Sequence, residues 1–224
     1  MGASAVSRMA ADAGAHEEAA VRIALYGATG MIGSRVALEA VSRDHRVTAI
    51  SRTPSAPVPH GTFARQGDAG DPDGVARIAA EHDVVVSAIG PSRTGVRHQV
   101  FLHAIATLAE NVGTRRLVVV GGSGSLEVAP GLRLVDAPRF PEAARAEALT
   151  QIAAFELLED KGALLDWVYV SPAPFMAPGE RTGHYRVGVN TVFGETISAE
   201  DYAVAIVDEI ERPRARHNRI AVAY

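Results

Sequence analysis

Short apolar runs alternate along the chain with segments whose apolar positions recur every three to four residues. "VRIALYG" (21–27) alternates like a strand and runs into a glycine, after which Ile32, Val36 and Ala40 recur at helical spacing. "RVTAIS" reads as a second strand, "RTPSAPVPHG" as a proline-rich loop and "TFARQGD" as a short third strand. "DPDGVARIAAEH" predicts a helix with Pro72 in its first turn and acidic residues at its positive end. "DVVVSAIGP" and "RRLVVVGGSGS" are continuous apolar runs ending in glycine, the pattern of strands buried on both faces of a parallel sheet. A helix over about 96–112 separates them. Residues 122–141 hold Pro130, Pro138 and Pro141 and read as a long loop of the kind that often forms a lid. Next come a helix over 142–161, a sixth strand in "LLDWVYVSP" and a small hairpin in "HYRVGVNTVFG". "SAEDYAVAIVDEIE" opens with Ser198 and Asp201 in capping-box spacing, and "RIAVAY" closes the chain as a strand. Strands alternating with helices predict an α/β protein. The expected fold is a Rossmann-type, doubly wound parallel sheet in one domain, with a small C-terminal elaboration on the substrate side.

Composition narrows the function classes. Residues 1–20 lack the apolar run of a signal peptide and read as a flexible tail, leaving 21–224 as the domain. The formal net charge of −4 supplies no basic field, so neither nucleic acid nor an anionic membrane is an expected partner. With no cysteine, the chain has no disulfide, thiolate metal site or cysteine nucleophile. No His/Asp/Glu cluster has metal-ligand spacing, and no stretch approaches the ~18 apolar residues of a membrane span. A soluble cytoplasmic protein acting on a small molecule is expected, and the sequence does not specify its oligomeric state.

"ALYGATGMIGSRVALEA" places Gly27, Gly30 and Gly33 between a predicted strand and an amphipathic helix. In that context one glycine makes the tight turn, one admits a pyrophosphate to the backbone, and one lets helix and strand pack closely. The end of the second strand selects the cofactor. A carboxylate there would bond the ribose 2′-hydroxyl of NAD; this chain has Ser51, Arg52 and Thr53, a guanidinium fork between hydroxyls that suits the 2′-phosphate of NADP(H).

"GATGMIGSR", "SRT" after strand two, "GD" after strand three, "SAIGP" and "VVVGGSGSLEVAPG" resemble the atypical short-chain dehydrogenase/reductases. Within these the chain is most similar to the NAD(P)H–flavin reductase group, relatives of biliverdin reductase B and of NmrA-like proteins. "SPAPFMAPGERTGHYRVG" and "ISAEDYAVAIVDEIE" extend the match over about 21–224. The resemblance implies a Rossmann domain with NADPH across the strand ends. By matching positions, Gly27, Thr29, Gly30, Met31 and Ile32 would hold the pyrophosphate, Arg52 the 2′-phosphate, and Asp68 would lie by the adenine. Ala88, Ile89 and Gly90 would flank the ribose. Ser123 with Ser171, Pro172 and Ala173 would line the nicotinamide side.

Alcohol–ketone chemistry by the usual Tyr-x-x-x-Lys dyad is not expected, because the sole lysine, Lys161, has Leu157 four residues before it. Ser123, at the end of strand five, is a candidate donor to a substrate oxygen or a turn serine. His98 is a candidate cleft residue or a surface histidine. His184 and Tyr185, with Arg181, either close over a ligand or begin a hairpin; Glu127 and Asp136 are solvated residues of the lid, and His103 is structural. The leading expectation is an NADPH-dependent oxidoreductase passing hydride to a flavin, quinone or enone-like acceptor. The alternatives are a specialised Rossmann enzyme using NADP(H) for a narrow reduction or a non-redox step, and an NmrA-like sensor of the dinucleotide.

Overall fold

The protein is described by a computed structural model covering residues 7–9, 20–53, 57–91 and 98–224. Most of the expected tail, and 92–97 ahead of His98, lie outside the described residues. Seven strands form the parallel heart of the sheet: β2 (Arg22–Tyr26), β3 (Arg46–Ser51), β4 (Phe63–Gln66), β5 (Val84–Ser87), β6 (Arg116–Val120), β9 (Trp167–Pro172) and β13 (Asn218–Ala223). Their order is β4-β3-β2-β5-β6-β9-β13, so the winding direction reverses between β2 and β5. In open α/β sheets that switch point opens the ligand crevice at the strands' carboxyl ends.

Both faces are covered, as the unbroken apolar runs require. On one, Val36 and Ala40 of α1 (Met31–Ser42) and Tyr202 and Ile206 of α5 (Ala199–Glu211) pack on Ile23, Leu25, Val86, Val118 and Val170. On the other, Ile78 of α2 (Pro72–Ala80), Ile105 and Leu108 of α3 (His98–Asn111) and Phe155 and Leu158 of α4 (Glu142–Lys161) pack on Ala24, Val85, Leu117, Trp167 and Tyr169. Successive strand side chains point to opposite faces, so each strand feeds both cores. At the sheet's amino-terminal edge Arg116, 6% exposed, meets the fully buried Glu209 of α5.

The structure departs from the sequence reading in four places. "HYRVGVNTVFG" forms no hairpin of its own; β11 (Tyr185–Gly188) joins the main sheet antiparallel to β13, and the backbone of β1 (Ser7–Met9) pairs with β11. The 122–141 stretch is a fastened loop rather than a lid. It carries the hairpin β7 (Glu127–Ala129) and β8 (Leu132–Arg133), buries Leu126 and Val135, and exchanges backbone bonds from Glu127 with Asn190 and Val192. His103 lies on the exposed side of α3, against Gly70, and has no core role. Arg181 does not reach over a ligand, because it is bonded through both Nε and Nη2 to Glu39 at 2.7 Å.

The capping-box expectation holds in half. Ser198 Oγ accepts from Asp201 N at 2.9 Å, but the buried Asp201 carboxylate turns away from Ser198 N. It accepts from Thr182 N and Gly183 N, tying down the 178–184 segment between β10 (Phe175–Ala177) and β11. β12 (Thr196–Ser198) pairs parallel with β10 outside the main sheet.

Candidate functional site

The turn after β2 is built by its glycines. Gly27 has φ +83°, a region that disfavours side chains, and a Cβ there would stand 2.6 Å from the Ala88 carbonyl oxygen. Gly33, in the first turn of α1, would drive a Cβ into the Gly27 carbonyl group, 2.8 Å from its carbon. Gly30 differs: its φ of −75° suits any residue, and its Cβ would meet nothing closer than Gly27 O at 3.3 Å. So Gly27 makes the turn, Gly33 the close helix–strand packing, and Gly30 faces outward at the helix N-cap.

The amides of Met31, Ile32 and Gly33 precede the first intrahelical bond of α1, Ser34 N to Gly30 O at 3.0 Å. Gly30 makes no side-chain cap, and the first turn holds no acidic residue. A positive helix end with outward amides and no carboxylate of its own suits a phosphate.

Beside it opens a cavity of about 570 Å³, walled by the loops after β2, β3, β4 and β5 and by α3. Of the residues expected from sequence, Gly27, Thr29, Ser51, Arg52, Asp68, Ile89 and Gly90 line it. Arg52 is exposed at its rim, and among the described residues no carboxylate pairs with it, whereas Arg35, Arg43, Arg65 and Arg116 are all bound in ion pairs. Ser51 Oγ and Thr53 N hold the intervening turn at 3.2 Å, which presents Arg52 outward. Asp68 Oδ1 accepts from Gly70 N at 2.9 Å and shapes the loop after β4.

Other expected residues lie elsewhere. Ala88 backs onto the Gly27 turn. Ser123 follows β6, half-buried, with its carbonyl accepting from Leu126 N at 2.9 Å. Ser171, Pro172 and Ala173 are buried at the carboxyl end of β9, and the Ser171 hydroxyl is without a partner there. None of these lines the cavity. Nor does His98, whose Nδ1 meets Thr150 Oγ1 on α4. The Thr150 proton goes to Ala146 O at 2.8 Å, which assigns the imidazole hydrogen to Nδ1 and makes this contact a brace between α3 and α4.

Sequence reasoning missed the cavity's apolar wall, Phe101 and Ala104 of α3, and missed Tyr26 at the end of β2. The signal for Tyr26 was a hydroxyl at the buried end of β2.

Four of the five tyrosine hydroxyls are committed to internal hydrogen bonds. Burial holds the Tyr169 hydroxyl above its ordinary pKa, and it is bonded to Gln151 O and Gly122 N, each at 3.0 Å. Burial, then Asp208, raises Tyr185, whose hydroxyl donates to that carboxylate. Burial holds Tyr202 far above 10, with its hydroxyl donating to Val170 O at 2.5 Å. Tyr224 is raised by burial and bonded to Ser198 and Asp201, each at 2.8 Å, and Tyr26 is pushed up to about 12. Among the described residues no group of three His, Asp or Glu is placed to hold a metal, and no helix is long and apolar enough to cross a membrane.

Comparison with known proteins agrees with this geometry. The NAD(P)H-binding family matches residues 27–213. A solved structure of a candidate exported protein from Burkholderia pseudomallei is 46% identical, with 91% of this chain and 100% of that one covered and a TM-score of 0.81. A candidate epimerase from Bacteroides thetaiotaomicron is 33% identical, covering 92% and 98%, with a TM-score of 0.81. A candidate NADH–flavin reductase from Streptococcus pneumoniae is 30% identical, covering 91% and 99%, with a TM-score of 0.82. The chain belongs to the NAD(P)H-binding family, and its sheet is of the Rossmann type.

Proposed function

We propose that the protein is an NADPH-dependent reductase that passes hydride to a small conjugated acceptor such as a flavin, quinone or enone. The observation that carries the cofactor choice is the exposed Arg52 on the cavity rim, which no carboxylate among the described residues pairs with, where a dinucleotide laid along the α1 N-terminus would bring its 2′-phosphate. The likeness to a candidate NADH–flavin reductase supports the reaction class, while its NADH differs from the preference Arg52 suggests here.

In this reading the amides of Met31 and Ile32 hold the pyrophosphate, Arg52 the 2′-phosphate, and Ile89 and Gly90 the ribose. Ser123 would line the nicotinamide end, and the buried Ser171, Pro172 and Ala173 would back it without touching the cofactor. NADPH supplies the hydride from nicotinamide C4. The chain's residues contribute alignment, and water delivers the proton, since the Tyr169, Tyr185, Tyr202 and Tyr224 hydroxyls are each committed to internal hydrogen bonds.

The test follows NADPH absorbance anaerobically with FMN, riboflavin and small quinones. Turnover is expected with at least one of them, and Ser123→Ala is expected to cost about tenfold, the size of one hydrogen bond to developing charge. Tyr185→Phe and Tyr202→Phe should leave turnover within about threefold, because neither hydroxyl faces the cavity. A thousandfold loss in either tyrosine variant would contradict the alignment account.

The likeness to a candidate epimerase supports a second reading, in which bound NADP(H) serves an internally balanced step. Cofactor balance separates the two: NADPH consumed as product forms marks a reductase, and product formed with NADP(H) unconsumed marks the second reading.

A further inference from the structure

We infer that Tyr169 is a positioning residue whose hydroxyl sets the loop carrying Ser123, an assignment that rests on the reading of Ser123 above. The bonding of β6 to β9 ends where Gly121 N donates to Val170 O at 2.8 Å. The next amide, Gly122 N, immediately precedes Ser123 and passes to a side chain, donating to the Tyr169 hydroxyl at 3.0 Å. That hydroxyl donates in turn to Gln151 O of α4, also at 3.0 Å. One group therefore ties strand β9, the Ser123 loop and α4 together, using its proton and an accepting lone pair.

The loop is built to receive it. A Cβ at Gly121 would stand 2.1 Å from Tyr169 Cε1, so the ring lies directly against the loop where only glycine leaves it room. A Cβ at Gly122 would stand 3.3 Å from Gln151 Cβ, and one at Gly124 would stand 3.0 Å from Ala148 Cβ. The loop is thus pressed onto α4 on both sides of Ser123. Beyond it, Arg219 Nη1 donates to Ser125 Oγ at 2.5 Å and fastens the far end. Packing alone asks only for a ring at position 169, where Phe155 sits with centroids 5.2 Å apart. A fully buried hydroxyl carries a desolvation cost, and what it adds over phenylalanine is the two bonds that place the loop. Catalysis that works by alignment depends on such placement.

The experiment measures kcat, KM and NADPH affinity for the parent, Tyr169→Phe, Ser123→Ala and the double variant, with FMN, riboflavin and small quinones as acceptors. Tyr169→Phe is expected to lower kcat about fivefold, somewhat less than Ser123→Ala, with NADPH affinity unchanged because Tyr169 does not line the cavity. In the Ser123→Ala background the same substitution should change kcat by less than about twofold, because its effect runs through Ser123. Should Tyr169→Phe fail to fold, Gly122→Ala lifts the same loop from Gln151 and is expected to give the same pattern. A Tyr169→Phe enzyme as fast as the parent, beside a slowed Ser123→Ala, overturns this assignment alone. Equal losses in the two backgrounds also overturn it, since they would mark the hydroxyl as a general support of the core. A parent inactive with every acceptor, or a Ser123→Ala enzyme as fast as the parent, overturns the reading of Ser123 and this assignment together.

Discussion

Glu209→Ala is expected to lower the melting temperature by about 10 °C or more while leaving NADPH affinity unchanged. Glu209 Oε1 accepts from Arg116 Nη2 at 2.6 Å, Arg214 N at 3.0 Å and Ala215 N at 3.2 Å. Arg116 reaches Asp166 as well, at 2.9 Å, but both members of the central pair are almost wholly shielded from water. Removing one partner of a buried pair costs about 3–5 kcal/mol. Here Arg116 would keep only the partly exposed Asp166 as a charged partner, and the Arg214 and Ala215 amides would lose their acceptor. For a chain of this size each kcal/mol shifts melting by about 2–4 °C. Arg116→Met combined with Glu209→Leu should recover much of the loss, since an apolar pair of similar volume removes both charges. The pair lies at the amino-terminal edge of the sheet and the cavity at the carboxyl edge, so binding is the internal control. A single variant as stable as the parent would contradict this account of the core.

The second large effect separates the glycines. Gly33→Ala forces a Cβ against the Gly27 carbonyl, backbone that cannot rotate away, and is expected to cost about 3 kcal/mol, the upper end of the overpacking range. That corresponds to a fall of about 6–12 °C in melting temperature. Gly30→Val is expected to remain folded, because its φ is ordinary and its Cβ meets only Gly27 O at 3.3 Å. Its NADPH affinity should drop about a hundredfold as two charge-assisted amide–phosphate contacts are obstructed. Calorimetry beside thermal melting checks both. A folded Gly30→Val that binds as the parent does would show that the pyrophosphate lies elsewhere. Gly27 is a poor test of binding, since its positive φ and its approach to Ala88 tie any substitution to folding.

These contrasts show why some of the molecule was legible in its sequence and some was not. The parallel strands were readable because strands covered on both faces carry unbroken apolar runs, as in Val84–Ser87 and Arg116–Val120. The tight glycine turn and the position of Arg52 at the cavity rim were readable because glycine spacing and strand-end residues are local features. The 122–141 segment was misread because its anchors are distant in sequence: Leu126 and Val135 are buried, and Arg219 Nη1 donates to Ser125 Oγ at 2.5 Å across 94 residues. Tyr185–Gly188 was misread for a similar reason, since its partner is the last strand of the chain. Propensity and turn signals do not carry such long-range pairing. Tyr26 was overlooked because a tyrosine in an apolar strand reads as core, and its unpartnered hydroxyl is visible only in three dimensions.

The central claim is that Arg52 reads the 2′-phosphate of NADPH at the mouth of this cavity. Titration of the parent protein with NADPH and NADH, repeated with Arg52→Asp, tests it most directly. The account predicts at least about tenfold tighter NADPH binding in the parent, from one charge-assisted contact in a partly exposed site. It also predicts that Arg52→Asp erases or inverts the preference. Equal dissociation constants for the two cofactors in the parent, or a preference for NADPH that survives in Arg52→Asp, would contradict it.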